Sequence, residues 1–328
     1  MKKISFLTDL HKSIGGCQIQ MLNWKEHLIK LGYNVTSDAY LGGADIVHVF
    51  PSTYPQQYEY LIDCKDPVVV STNYWAELSP LRMVGYHTAK YLHQFPLQLA
   101  GVKNHVARHR LFHRAQILIA NSIAEKRTLT NVFGVKPEKI HVVKNSISSE
   151  ILAATYDASE RADYILQIGS ISSRKGQRYA AELAKRLGVR LVLIGPIMDV
   201  DYFQDLKAEY GAVIDYLGVK ENGSSEMISL IDRSLACVLI SKWETPGIVN
   251  LEAASRGIPV ITTQTGGCEE YLGEYAFYCE QNTEIDYSAI IDYILNDTKN
   301  QQRRDRALSF NYKSAIEHLV SIYDGISS

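Results

Sequence analysis

The sequence predicts an α/β protein of two domains, each built around a parallel sheet that helices cover. Short apolar runs alternate with longer amphipathic stretches along the chain, and this alternation is typical of parallel strands joined by crossover helices. The chain has 328 residues, a length that favours two domains. A polar segment without periodicity, residues 146–162, interrupts the alternation near the middle. We therefore expect two Rossmann-like domains that face a central cleft.

Five strands are predicted in each half from their apolar and β-branched residues. They are 4–7, 46–50, 68–71, 117–120 and 140–143 in the first half, and 164–168, 190–194, 213–217, 237–240 and 260–263 in the second. The clearest helices between them are 18–31, 122–133, 176–187, 224–233 and 248–255. The expected domains are 1–150 and 151–310, and the final stretch, 311–328, is expected to form a helix that packs back on the first domain.

Composition excludes several classes of function. Hydrophobic residues make up 46% and charged residues 21% of the chain, which is ordinary for a globular protein with a large core. The net charge of −2 argues against nucleic acid as a partner. The five cysteines are scattered without metal-type spacing, which predicts no metal site and a reducing, cytoplasmic location. The apolar run after Lys2 and Lys3 is too short for a signal peptide or a membrane span.

The most informative segment of the second half carries two glutamates eight positions apart. Glu244 precedes a turn marked by Gly247, and Glu252 lies inside the apolar helix that follows. A helix that begins at this turn directs unpaired N–H groups at its own N-terminus, where anions bind. Those N–H groups belong to Gly247, Ile248 and Val249. A carboxylate among apolar neighbours needs hydrogen-bond donors, and the vicinal hydroxyls of a ribose supply them. The segment taken alone is equally consistent with Glu244 as a loop charge and Glu252 as a solvent-facing residue.

These residues and several others resemble one enzyme family. The strand, loop and helix at 165–176 resemble the start of the donor-binding domain of retaining glycosyltransferases with the GT-B fold, of the family 4 type. Glu244 and Glu252 match the paired glutamates of that family, and Gly15 and Gly16 match its glycine turn that faces the phosphates. Further matching segments are 45–48, 191–196, 216–218 and 266–270. The resemblance covers nearly the whole chain.

The resemblance implies transfer of a hexose-type sugar, with retention, from a UDP- or GDP-linked donor to a glycan, lipid-linked or protein-linked acceptor. It implies no cofactor and no metal, because cationic side chains and a helix N-terminus stabilise the leaving diphosphate. The expected catalytic residues are Glu244, Lys175 and Arg174. The expected donor contacts are Gly15, Gly16, Gly169, Ser170, Val219, Gly247, Ile248, Val249 and Glu252. His48 and Asn73 are expected at strand ends, where they face the acceptor or the cleft. No residue stands out as a general base, which fits a front-face route in which the leaving phosphate accepts the proton.

Two positions depart from the family pattern. Ser170 stands where the family usually has an arginine, and Asn73 stands where it often has a histidine. Arg174, next to the retained Lys175, is the candidate for the missing cation. A solvated turn before a helix is the alternative interpretation of this basic pair.

A basic, amphipathic stretch lies in the first half. Residues 78–124 contain no Asp or Glu, and basic residues and histidines alternate there with aromatic and aliphatic residues. Such a surface suits an anionic membrane or a phosphate-bearing acceptor, and this would place the protein on the inner face of the cell membrane. An ordinary basic rim on helices is equally consistent with the pattern.

Two other functions are consistent with the same fold, and a third is disfavoured. An epimerase of the same fold would interconvert donor sugars without an acceptor, and a degenerate chain would bind nucleotide or glycan as a non-catalytic partner subunit. A nicotinamide dehydrogenase is disfavoured, because no G-x-G-x-x-G motif follows the first strand. The acidic pair Asp199 and Asp201 is interpreted as the start of a helix, where carboxylates are favoured.

Overall fold

A computed structural model describes residues 2–8, 16–37, 42–50, 55–76, 88, 100–155, 161–245 and 247–326. The chain divides into two compact units. Unit 1 comprises residues 1–145 and 313–328, and unit 2 comprises residues 146–312. Residues 146–150 thus lie in unit 2 rather than in the first domain, where the sequence analysis put them.

Unit 1 contains a six-stranded sheet in the order β2-β1-β3-β4-β5-β6, with parallel pairing throughout. Its strands are β1 (Lys3–Thr8), β2 (Asn34–Thr36), β3 (Ile46–Phe50), β4 (Val68–Ser71), β5 (Ile117–Ala120) and β6 (Ile140–Val142). Its described helices are α1 (Gly16–Lys30), α2 (Ala100–Arg114), α3 (Ile123–Phe133) and the C-terminal α12 (Tyr312–Asp324), with 3-10 turns at Pro55–Ile62 and Pro137–Lys139. Strands β3 and β4 are buried along their whole length, as expected for a parallel sheet that is covered on both faces.

Unit 2 contains a second six-stranded sheet, in the order β12-β11-β10-β7-β8-β9, again parallel throughout. Its strands are β7 (Tyr164–Ile168), β8 (Arg190–Ile194), β9 (Ile214–Tyr216), β10 (Cys237–Leu239), β11 (Val260–Thr262) and β12 (Phe277–Tyr278). Its helices are α4 (Ser149–Ala153), α5 (Gln177–Leu187), α6 (Val200–Tyr210), α7 (Ser225–Asp232), α8 (Ile248–Ser255), α9 (Cys268–Leu272), α10 (Tyr287–Leu295) and α11 (Asn300–Leu308), with 3-10 turns at Ser173–Lys175 and Gly273–Tyr275.

The predicted α/β class and the two parallel sheets are confirmed. The ten predicted strands are present, and the structure adds one short strand at an edge of each sheet, β2 and β12. Helix α12 lies in unit 1, where Tyr323 Oη contacts His48 Nδ1 of β3 at 2.5 Å. Lys2 Nζ, beside β1, donates to the carbonyl of Ile326 just beyond α12 at 3.3 Å. Within the described residues, no helix is both long and apolar enough to cross a bilayer.

Candidate active site in unit 2

The strand order of unit 2 determines where its loops converge. The chain runs from β7 through β8 to β9 on one side and then returns to place β10, β11 and β12 on the other side of β7. The order therefore reverses between β7 and β10. The carboxyl ends of strands at such a reversal form the usual binding crevice of an open parallel sheet. The loop after β7 carries Lys175, and the loop after β10 carries Glu244.

The loop after β7 is held by backbone contacts that require glycine. Gly169 has φ 151° and donates its N–H to the carbonyl of Ile194 at 2.8 Å. Gly176, at φ 68°, lies so close to the end of β10 that a Cβ atom there would be 2.0 Å from the Ile240 carbonyl oxygen. The buried side chain of Gln177 also ties the loop to α5, because its amide nitrogen donates to the Ser170 carbonyl at 3.0 Å. The turn Ser173–Lys175 is thus fixed against the end of β10.

The loop after β10 is fixed by the loop that follows β11. The N–H of Glu244 donates to the Thr265 carbonyl at 3.1 Å, and the N–H of Gly267 donates to the Glu244 carbonyl at 2.9 Å. Gly266, at φ 121°, approaches Glu244 so closely that a Cβ atom there would lie 1.9 Å from the Glu244 carbonyl oxygen. The position of Glu244 thus depends on contact between the loops that follow the neighbouring strands β10 and β11.

Glu244 is a buried carboxylate in contact with both predicted cations. Its Oε1 accepts hydrogen bonds from Lys175 Nζ and, at 2.7 Å, from Ser241 Oγ, and it lies 3.7 Å from Arg174 Nη1. Burial alone would raise the pKa of Glu244, but Lys175, with smaller contributions from Arg174 and Ser241, holds it below the usual value for a glutamate. The structure brings together the three residues predicted to be catalytic, Glu244, Lys175 and Arg174.

The helix that follows, α8, begins at Gly247 in the left-handed conformation, with φ 70° and no side-chain cap. The N–H groups of Gly247, Ile248 and Val249 precede the first bond of this turn, which runs from the N–H of Asn250 to the Gly247 carbonyl at 2.9 Å, so they have no intrahelical acceptor. The helix dipole adds partial positive charge at this end. Gly247 is buried, and Ile248 and Val249 are half-buried. This N-terminus follows Glu244 directly along the chain and provides donors suited to an anion.

Glu252 lies on the buried side of α8, one turn from its start. The residue is 1% exposed. Its Oε1 accepts a hydrogen bond from Asn222 Nδ2 at 3.4 Å, and its Oε2 has no hydrogen-bond partner among the described residues. Burial raises the pKa of Glu252 to about 7; the hydrogen bond from Asn222 opposes this rise, and nearby Glu150 adds to it. The predicted buried carboxylate in need of donors is present.

Val219 occupies the turn after β9. It is exposed at 59% and follows Gly218, whose φ is 72° and whose carbonyl accepts from the N–H of Gly195 at 2.8 Å. This turn therefore lies against the end of β8. Ser170 follows Gly169 in the β7 loop and is half-buried.

The predicted acceptor residues of unit 1 have different positions. His48 is the third of the five residues of β3 and not a strand end, so that prediction is wrong. Its ring is fully buried, with Nε2 2.8 Å from Ser71 Oγ, and burial lowers its pKa to about 3. Asn73 is exposed just beyond the end of β4, with φ 40°, a conformation that asparagine tolerates. Gly16 is the first residue of α1, and Gly15 lies outside the described residues.

Only part of the basic stretch 78–124 is described, with side chains from residue 103 onward. On α2, Lys103 and Arg110 are exposed, and Arg110 pairs with Glu59 at 3.4 Å. Arg114 has a structural role, because its guanidinium donates to the carbonyls of Ile62 at 3.2 Å, Asp66 at 3.2 Å and Cys64. Arg114 is therefore not part of an available basic surface.

Three further side chains position the predicted ones and were not predicted from the sequence. Ser241, Trp243 and Asn222 contact Glu244, Arg174 and Glu252, respectively. Ser241 and Trp243 lie in the same segment as Glu244, and that proximity is the one signal that could have found them. Asp199 caps α6 by accepting from the N–H of Tyr202 at 3.1 Å, which confirms its interpretation as the start of a helix. No group of three or more His, Cys, Asp or Glu side chains in the described part of the chain is arranged to hold a metal ion.

Two family models match adjacent parts of the chain. Residues 149–308, nearly all of unit 2, match the model described as glycosyl transferases group 1. Residues 39–150 match the model described as glycosyltransferase family 4. Among curated proteins, glycogen synthase of Mycobacterium tuberculosis is 27% identical over 229 residues, which are 67% of this chain and 53% of that protein. The chain spans about half the length of the curated relatives it matches.

Solved structures share the fold over almost the whole chain. Sucrose-phosphate synthase of Thermosynechococcus elongatus has a TM-score of 0.74 at 15% identity, with 98% of each chain covered. Anabaena HepE in complex with UDP-glucose has a TM-score of 0.71 at 16% identity, with 99% of this chain and 100% of that chain covered. Together, the family models span residues 39–308, and the chain belongs to the glycosyltransferases of the GT-B fold, of the family 4 type.

Proposed function

We propose that this protein transfers a hexose-type sugar from a nucleoside diphosphate sugar to a glycan, lipid-linked or protein-linked acceptor, with retention of the anomeric configuration and without a metal ion. One observation carries the proposal. Glu252 is a buried carboxylate, one turn into an uncapped helix, and its Oε2 has no partner among the described residues. A buried acceptor without a donor is unfavourable unless a ligand supplies one.

A ribose has the donors that Glu252 lacks. Its two vicinal hydroxyls can both donate to one carboxylate, and a phosphate attached to the same ribose can reach the helix N-terminus at Gly247. The ionised form of Glu252 is the better acceptor for both hydroxyls. Nucleotide binding is therefore expected to lower the pKa of Glu252 from about 7 and to release a proton near neutral pH.

The charge that develops on the leaving diphosphate has two sources of stabilisation in unit 2. One is the N-terminus of α8, and the other is Lys175, whose side chain is 13% exposed and therefore largely desolvated. Fixed positive groups in a site with little water stabilise a leaving anion more than they would in bulk solvent. This supports diphosphate departure without a metal ion.

Glu244 is assigned to the hydroxyls of the donor sugar. It lies between the β7 loop and the start of α8, and its low pKa keeps it ionised and able to accept hydrogen bonds at neutral pH. Orientation of the sugar by such contacts favours the reactive geometry. Retention follows if the acceptor hydroxyl attacks from the face that the diphosphate leaves and passes its proton to that phosphate.

A UDP-linked donor is favoured over a GDP-linked one. The solved structure of Anabaena HepE contains UDP-glucose, and its likeness to this chain supports trying uracil nucleotides first. The acceptor is proposed to be a glycan or a lipid-linked glycan, reached by a protein that works in the cytoplasm at the membrane surface. The exposed Lys103 of α2 supports the membrane part of this proposal, because a cation near an anionic bilayer is attracted to it.

Turnover tests the proposal directly. The protein is incubated with UDP-glucose or another nucleotide sugar and a mixture of glycan acceptors, in buffer containing EDTA, and release of the nucleoside diphosphate is followed. The anomeric proton of the product is then assigned by NMR. We expect acceptor-dependent release and an anomeric configuration that matches the donor. An inverted product or a requirement for added metal would contradict the mechanism, and interconversion of donor sugars without an acceptor would indicate an epimerase.

A non-catalytic binding protein is the second candidate, and Ser170 is the observation that favours it. The loop after β7 has an uncharged, half-buried side chain at this position, so any second cation for the diphosphate must come from elsewhere in the site. If no second cation is supplied, the protein would bind the nucleotide sugar without turnover, and Glu244→Ala would change only the affinity for the nucleotide sugar.

A further inference from the structure

The carboxylate of Glu244 is paired with more positive charge than it carries. Lys175 and Arg174 both contact its Oε1, Arg174 at 3.7 Å. These three groups together carry one excess positive charge. Lys175 and Glu244 are largely buried, with 13% and 9% of their side chains exposed. Charge in such a place is unfavourable without a counter-charge, so the excess indicates an anion that binds here.

Arg174 is held in position and is not a freely solvated loop charge. Its guanidinium carbon lies 4.6 Å from the centroid of the Trp243 ring, and Nη1 donates to the Trp243 carbonyl at 3.3 Å. Its own carbonyl accepts from the N–H of Lys242 at 2.9 Å and from Gln281 Nε2 at 3.0 Å. Both the backbone and the side chain are therefore fixed before any ligand arrives, which reduces the entropy cost of binding.

The guanidinium has donors to spare. Arginine has five N–H donors, and among the described residues that of Arg174 makes one hydrogen bond. Its side chain is 36% exposed, so a ligand can reach it. A stacked, planar guanidinium presents its donors in a geometry that suits phosphate oxygens.

We propose that Arg174, stacked on Trp243, is the second cation for the donor diphosphate and makes the site select nucleoside diphosphates over monophosphates. The proposal rests on the proposed nucleotide-sugar function and deepens it. Lys175 and the start of α8 contact one part of the pyrophosphate. Arg174 neutralises the additional negative charge that a diphosphate carries and a monophosphate lacks. Trp243 is a positioning residue that acts through Arg174.

Calorimetric titration of UDP and UMP into wild-type protein and variants tests the proposal. Arg174→Ala is expected to weaken UDP binding by about tenfold or more, the usual contribution of a hydrogen bond to a charged group, and to leave UMP binding within about twofold. Trp243→Leu is expected to weaken UDP in the same selective way but less, and Trp243→Phe, which keeps a ring under the guanidinium, to restore most of the loss. Arg178→Ala is the matched control, because Arg178 is a nearby exposed arginine paired with Glu209.

The outcomes separate this proposal from the one on which it rests. Equal weakening of UDP and UMP by Arg174→Ala, or no weakening of either, would overturn the role of Arg174 and leave the proposed function intact. Wild-type protein that binds no nucleotide would overturn both. The Tm of each unliganded variant identifies a folding defect, and if Arg174→Ala has one, Arg174→Gln, which keeps the side-chain length and a donor, is expected to show the same loss of UDP selectivity.

Discussion

At the scale of single residues, the two glutamates of α8 and its preceding loop are in opposite electrostatic states. Glu244 is buried with cations and has a lowered pKa, and Glu252 is buried with one amide donor and has a pKa raised to about 7. Two carboxylates eight positions apart are therefore suited to different partners. Glu244 can accept from sugar hydroxyls while it remains ionised, and Glu252 gains most when a ligand brings new donors.

Replacement of Glu252 by glutamine is expected to change how stability depends on pH. Between pH 4.5, the usual value for a glutamate, and about pH 7, the folded protein holds a proton at Glu252 that the unfolded chain has lost. The free energy of unfolding therefore falls as pH rises through this window. Glu252→Gln is expected to stabilise the unliganded protein at pH 8, by up to about 3 kcal/mol, and to leave it nearly unchanged at pH 5.

Denaturant unfolding of both proteins at pH 5 and pH 8 measures this difference. Glu182→Gln, whose side chain is 24% exposed in a surface ion pair with Arg186, is the control for the chemical change alone. A Glu252→Gln variant with the same stability difference from wild type at both pH values would refute the raised pKa of Glu252 in the folded protein.

Replacement of Glu244 by glutamine is expected to affect nucleotide binding and turnover in opposite directions. Without a ligand, Glu244 occupies the cations that a diphosphate needs, so its removal should tighten the binding of free UDP. The donor sugar loses a charged acceptor, and its turnover should fall on the order of a hundredfold because the reactive geometry is disturbed. Titration of UDP and initial rates with the nucleotide sugar measure the two effects. Weaker UDP binding by the variant would contradict the idea that Glu244 competes with the diphosphate for the same cations.

At the scale of elements, the site depends on close contacts between loops at the ends of β7, β10 and β11. The clearest is Gly266, where a Cβ atom would lie 1.9 Å from the carbonyl oxygen of Glu244. Gly266→Ala is expected to destabilise unit 2 by more than 1 kcal/mol, roughly the cost of a misplaced alanine at positive φ, and to lower turnover of the nucleotide sugar by moving Glu244.

Gly188→Ala is the control for this prediction. Gly188 also has positive φ, 71°, but nothing lies within 4 Å of the position of its added Cβ. Its variant should show backbone strain and a lower Tm, with turnover of the nucleotide sugar preserved. If Gly266→Ala also keeps wild-type turnover, the contact between the two loops does not position Glu244.

Sequence patterns predicted the long elements better than the short ones. Strand β8 contains four consecutive apolar residues and is followed by Gly195, and its pattern is unambiguous. Strand β2 contains Asn34 and Thr36 around a single apolar residue, so neither hydrophobicity nor alternation distinguishes it from a loop. An edge strand buries little surface, which is why its sequence is less constrained.

Sequence patterns also predicted only part of the candidate site. The burial of Glu252 follows from its apolar neighbours on α8, but its contact with Asn222 joins positions 30 residues apart, and a linear pattern does not reveal which loops meet. The expectation of His48 at a strand end conflicts with the predicted strand 46–50, in which it is the third residue, and the pattern also did not reveal the full burial of His48. Its partner, Tyr323 of α12, is 275 residues away in sequence.

At the scale of the whole molecule, the two ends of the chain lie in the same unit, and the site lies in the other. Tyr323 and His48 are both completely buried in unit 1. Tyr323→Phe removes the hydroxyl that contacts His48 Nδ1 and leaves this buried nitrogen without that partner. The loss is expected to lower the free energy of unfolding by about 1–3 kcal/mol. The variant is expected to have a lower Tm and an unchanged affinity for UDP.

Circular dichroism melts and UDP titration check this expectation, with Tyr60→Phe at a 53% exposed position as the control. A large loss of UDP affinity in Tyr323→Phe would show that unit 1 packing affects the donor site.

The central claim is that unit 2 binds a nucleotide through Glu252. Thermal shifts of wild type and Glu252→Ala with UDP, GDP, ADP, dTDP and their common sugars test it most directly. A ligand at a hundred times its Kd adds about 2.7 kcal/mol, a shift of several degrees. We expect one nucleotide class to stabilise the wild type and not the variant. No shift with any nucleotide, or an equal shift in both proteins, would contradict the account.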